Sequence, residues 1–77
     1  MEVNVVSNGF HIVKTRDQIG GTLRTDVFEL DTGRFQAFSN YIQDKEEEII
    51  GFAESFNAKE AIRLSRKDLR KQWQSAR

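Results

Sequence analysis

The sequence holds 77 residues, 38% hydrophobic and 31% charged, with no cysteine, which fits one small globular domain without disulfide or thiolate metal staples. Its longest apolar runs are two residues, as at Val5-Val6 and Ile49-Ile50, so neither a membrane-spanning helix nor a secretory leader is expected. The formal charge of zero is a cancellation: residues 1–56 carry five basic against ten acidic side chains, and residues 57–77 seven against two.

Asn8-Gly9 suits the positive φ angles of a tight type I′ turn, and it lies between two β-prone runs. A hairpin of residues 2–7 and 10–15 is predicted, with Val3, Val5, Phe10 and Ile12 on one face. Asn4, Val6, His11 and Val13 fall on the other. Residues 15–22 read as a loop whose most flexible point is Gly20-Gly21. A second hairpin follows, Leu23–Leu30 and Arg34–Ser39, joined through Asp31-Thr32-Gly33, where Asp and Gly are ordinary turn chemistry. Its expected faces group Phe28, Leu30, Phe35 and Ala37 against Val27 and Phe38.

Residues 40–52 carry two patterns. Phe35, Phe38, Ile42, Ile49, Phe52 and Phe56 are spaced as on a helix, with Asn40 and Gln43 as a start and Gly51 as a stop. Glu48–Phe52 equally suits a short fifth strand after the acidic turn 44–47. Periodicity does not choose between them.

The last element is a helix. Asn57 with Glu60 three residues later resembles a capping box, and good helix formers run to about Gln74. At 100° per residue Ala58, Ala61, Ile62, Leu69 and Trp73 form an apolar stripe that Ser65 and Gln72 interrupt. Lys59, Arg63, Arg66, Arg70 and Arg77 line up beside it as a basic ridge. The expected architecture is therefore a single α+β domain over 1–77: a small antiparallel sheet of two β-hairpins packed by one C-terminal amphipathic helix.

Catalytic chemistry finds little purchase. His11 is the sole histidine, no serine sits in a nucleophile motif, and Gly20-Gly21 lacks the Lys-Ser/Thr of a phosphate-binding loop. The cluster Asp44, Glu46, Glu47 and Glu48 lacks calcium-loop spacing and reads as a solvated turn. The expectation is a non-enzymatic, cytoplasmic interaction module without cofactor or metal, regulating or inhibiting a larger protein. Arg63, Arg66 and Arg70, with Lys59 beside them and Trp73 as anchor, are the expected contacts to a protein partner with an acidic surface. The alternative is a nucleic-acid-binding accessory factor gripping phosphates with the same arginines, against which the acidic body and balanced charge both weigh. An apolar sheet face left uncovered by one helix adds homodimerisation or partner docking to these expectations.

Overall fold

A computed structural model describes residues 7–18, 21–44 and 49–75. Four strands, β1 (Ser7–Asp17), β2 (Gly21–Leu30), β3 (Phe35–Tyr41) and β4 (Gly51–Ser55), precede one helix, α1 (Ala58–Ser75). The strands form one antiparallel sheet in sequential order, and α1 lies across one face of it over β2, β3 and β4. This is the α+β architecture expected from the sequence.

Several local expectations are corrected. Asn8-Gly9 is not a hairpin turn: Ser7 pairs with Leu30 and Gly9 with Glu29, so both residues lie within β1, with a register shift between them. Gly9 does not take the positive φ that a type I′ turn requires, and long pairing with β2 carries the strand through it. Residues 2–6 of the proposed first arm lie outside the described residues. The supposed loop 15–22 is mostly strand, since Thr15 pairs with Leu23 and Asp17 with Gly21. Asn40 and Tyr41 belong to β3, so no helix begins at Asn40; the short strand expected at 48–52 is β4, placed later at Gly51–Ser55, while Glu46, Glu47 and Glu48 of the acidic cluster lie outside the described residues.

The β2–β3 turn is as expected. Gly33 N–H donates to Leu30 C=O at 3.0 Å and Leu30 N–H to Arg34 C=O at 2.8 Å, closing a three-residue loop. Gly33 stands at φ +89°, the left-handed position such a loop requires. The resulting register sets Phe28 against Gln36 and Val27 against Ala37. Phe28 therefore shares a face with Phe38, and Phe35 with Val27 and Ala37, which reverses the expected grouping.

α1 starts where the sequence places it, with Asn57 Oδ1 accepting from Glu60 N–H at 3.0 Å. Two small buried groups lie beneath it: Leu23, Tyr41 and Leu69, joined by Ile49 and Trp73, and Val27, Ala37 and Ala61, joined by Phe35 and Ile62. Gly51 lets the helix approach β4 closely, for a Cβ there would collide with Ser65 carbonyl oxygen and the backbone of Leu69. The helix caps the start of the outer margin of β4. Phe52 N–H donates to Asp68 Oδ2 at 3.1 Å, and Gln72 Nε2 donates both to Ile50 C=O and to Asp68 Oδ2 at 3.0 Å. Side chains thus occupy groups that an edge strand otherwise presents to another chain.

Candidate interaction site

The face beneath the helix is small and hydroxyl-lined. Thr25, Ser39 and Ser65 are fully buried, on β2, β3 and α1 respectively. Ser65, which interrupts the apolar stripe of the sequence, sits at the centre of the packed seam because two other hydroxyls meet it. Arg66 Nε is 2.8 Å from Thr25 Oγ1, Thr25 Oγ1 is 2.7 Å from Ser39 Oγ, Ser39 Oγ is 2.8 Å from Ser65 Oγ, and Ser65 Oγ is 2.9 Å from Ile62 C=O.

Proton direction follows from the ends of this chain. Arginine only donates and a carbonyl only accepts. Ser65 therefore gives its proton to Ile62, Ser39 to Ser65, and Thr25 to Ser39. Every hydroxyl donates once and accepts once, so the polar seam is satisfied. Ser39→Ala removes the middle link and leaves the buried Thr25 hydroxyl without its acceptor. A loss of about 1–3 kcal/mol in unfolding free energy is expected. Urea denaturation measures it, and an unchanged midpoint would show that the relay contributes nothing.

Arg66 and Arg70 are turned inward. Besides Thr25, Arg66 reaches Thr15 Oγ1 at 3.2 Å, and burial pulls its pKa down, with Arg70 as a secondary cause. Arg70 Nε donates to Asp17 Oδ2 at 3.0 Å, and this bond raises its pKa. The same carboxylate oxygen accepts from Tyr41 O–H at 2.8 Å. The ridge expected to grip a partner is therefore divided: Arg66 and Arg70 fasten α1 to the β1–β2 end of the sheet. Lys59 and Arg63 face solvent, as do Lys67 and Lys71, and Arg63 lies 3.5 Å from Glu60. Arg77 lies outside the described residues. Trp73, expected as an anchor, is partly buried and packs against the core, its ring 4.8 Å from that of Tyr41 at 61°.

Burial, then the hydrogen bond to Asp17 and its charge, push the Tyr41 pKa up to about 12. The folded phenol holds its proton there, whereas an unfolded tyrosine loses it near pH 10. Between those values the unfolded chain binds fewer protons, so stability is complete below about pH 10 and falls as pH rises towards 12, by up to about 2–3 kcal/mol. Denaturant titrations at pH 9, 10 and 11 should show this fall. Tyr41→Phe, starting from lower stability, should show a shallower one, and equal slopes would remove the assignment.

The opposite face of the sheet carries the bulk. Phe10, Phe28, Phe38 and Phe52 form an aromatic row from β1 to β4, with successive ring centroids 4.8, 5.8 and 4.9 Å apart. Phe10 remains 52% exposed, Ile12 43% and Phe52 43%. Lys14 and Arg16 stand on this face toward one end of β1, on the opposite side from Thr15. Arg24 is paired at 2.9 Å with Asp26, and Arg34 at 3.0 Å with Glu54. An uncovered apolar face was expected with Val6, Val13, Val27 and Phe38 on it: Phe38 does lie there, but Val13 and Val27 lie on the helix side, Val6 lies outside the described residues, and Phe10, Ile12 and Phe28 take their place. Cross-strand pairing is the signal that locates the row, since Phe10 opposes Phe28 and Phe38 opposes Phe52.

Among the described residues, no three His, Asp or Glu side chains gather as a metal site, and no helix is long and apolar enough to cross a membrane. Comparison with family models, curated proteins and solved structures returned no match.

Proposed function

We propose that this chain is a non-enzymatic protein-interaction module that regulates or inhibits a larger protein. One observation carries the reading: side-chain size is distributed against the layering. Alanine, serine, threonine and glycine line much of the covered seam, while four phenylalanines cross the side that α1 does not cover. A half-exposed aromatic belt of this kind gains most of its burial energy from another macromolecule. The solvent-facing cations Lys59, Arg63, Lys67 and Lys71 supply a second, electrostatic element that favours a partner with an acidic surface and hastens encounter.

Photo-crosslinking in the source cells tests the proposal, with a photoreactive residue at Phe52 or at Lys67. The expected result is one reproducible protein, whose complex reassembles from purified components. Phe10→Glu with Phe52→Glu, or Lys59, Arg63, Lys67 and Lys71 all changed to Glu, should weaken that complex at least about tenfold. A reassembled complex indifferent to both sets of changes would sink it.

Nucleic acid is the second reading, favoured by aromatic rings sharing a face with Lys14, Arg16 and Arg24. Tilted and edge-on contacts within the row engage the rings with one another, which disfavours stacking on bases. Fluorescence anisotropy with single-stranded and duplex oligonucleotides at about 50 mM salt should show no binding; steep salt-dependent binding would reverse the order of the two readings.

A further inference from the structure

We infer that the first occupant of the aromatic face is a second copy of this chain, packed sheet against sheet, with the two helices on the outside. The inference rests on the protein-interaction reading and names the partner of the open face. A larger protein would then meet the pair at its outward helices, and substitutions on the aromatic face would weaken that complex by breaking up the pair.

Area supports the pairing. Four strands about 4.8 Å apart, each presenting about seven residues at about 3.3 Å, give a footprint of roughly 19 by 23 Å. That is about 440 Å² per copy in projection; a surface studded with side chains has more accessible area than its footprint, which brings the two copies together toward the ~1,200 Å² total at the lower end of stable interfaces. The need for such a layer is plain from the other side. Among the described residues, the fully buried hydrophobic set beneath and along α1 is Leu23, Val27, Ala37, Tyr41, Ala61 and Leu69, two of them alanines. Oligomerisation is a standard way for a small chain to complete its burial.

Shape and charge are compatible with a copy. Twisted sheets pack face to face at about −30° with interdigitating side chains, so a sheet face is readily complementary to itself. A two-fold axis lying along the aromatic row sets row upon row and reverses the strand ends. Lys14 and Arg16 then lie over the opposite end of the partner copy and do not face their own symmetry mates. The two pairs on or beside this face, Arg24–Asp26 and Arg34–Glu54, are each closed within one chain. Dimerisation therefore forces no unpaired charge into the centre of the contact.

Sedimentation equilibrium on the purified full chain tests this directly. The expected mass is twice the 8.9 kDa of one chain at micromolar concentration. Phe10→Glu with Phe52→Glu should weaken self-association about 100-fold, with circular dichroism still reporting a folded protein. Because that variant places four new charges in one dimer, Phe10→Ser with Phe52→Ser serves as a milder version should the first not fold. A dimer that survives these face substitutions, as one formed at strand edges or helices would, overturns the inference. So does a monomer at all concentrations. If the monomer's reassembled complex with the crosslinked protein still depends on Phe10 and Phe52, only the second copy is lost. If that complex is indifferent to the face and to the helix cations alike, the interaction reading falls with it.

Discussion

Gly51→Ala should be the most damaging single methyl group that can be added to this protein. Its Cβ would stand 2.5 Å from Leu69 N and 2.8 Å from Leu69 Cα, and closer still to Ser65 carbonyl oxygen. These are backbone atoms, so no rotamer change relieves the clash; α1 must move off β4. Separation also strains the bonds from Asp68 to Phe52 and from Gln72 to Ile50, and the Ser39–Ser65 link. Overpacking in a core costs about 1–3 kcal/mol, and a rigid obstacle lies at or beyond the upper end. The whole stability of a domain this size is about 4–12 kcal/mol. A fall in Tm of roughly 15 °C or more is expected by thermal denaturation. Gly33→Ala is the control. It meets open space and suffers only its positive φ, so about 1–2 kcal/mol should be lost. Equal effects at the two positions would refute close helix–strand approach as the reason for Gly51.

Asp17→Ala ranks second. The carboxylate is nearly buried, its side chain 8% exposed, and one oxygen accepts from both Tyr41 and Arg70. Its loss leaves a buried phenol without this acceptor and a partly buried guanidinium without its counter-charge. About 3 kcal/mol should go, more than for a surface ion pair, because the cost is that of stranded partners. Asp17→Asn keeps an acceptor without the charge and should lose less. A double-mutant cycle with Tyr41→Phe should show a coupling of about 1 kcal/mol or more, measured by denaturant unfolding. Additive losses would mean that the phenol and the carboxylate act independently. Since this carboxylate ties the β1–β2 end to the helix, its removal should raise amide exchange there before the rest of the sheet.

What the sequence revealed was local. The Asn57–Glu60 start, the length of α1 and the Asp31-Thr32-Gly33 turn all depend on residues within a few positions of one another, and each stands as read. What it hid was set by pairing at a distance. Asn8-Gly9 permits a tight turn without imposing one, and ten residues of β2 hold it in strand, with Gly9 outside the positive-φ region. The grouping of Phe28 with Phe35 is a miss of another kind: the expected loop already sets Leu30 beside Arg34 and hence Phe28 against Gln36, which places Phe35 on the other face. Gly51 reads equally as a helix stop and as a point of close approach, and only the helix that returns over it distinguishes the two. The candidate site was legible in part. An uncovered apolar face was foreseeable from two hairpins and one helix, whereas the inward course of Arg66 and Arg70 was not. Helical spacing reports which side chains neighbour one another along α1. It does not report that Thr25, Thr15 and Asp17 wait across the gap to bind them.

The caps that Asp68 and Gln72 place on Phe52 N–H and Ile50 C=O bear on growth beyond a pair. A strand arriving at the β4 border meets a backbone donor already taken at Phe52, so the two borders of the sheet are not equivalent seats. The chain can thus display a row of bare aromatic rings while its β4 border makes a poorer template for head-to-tail joining.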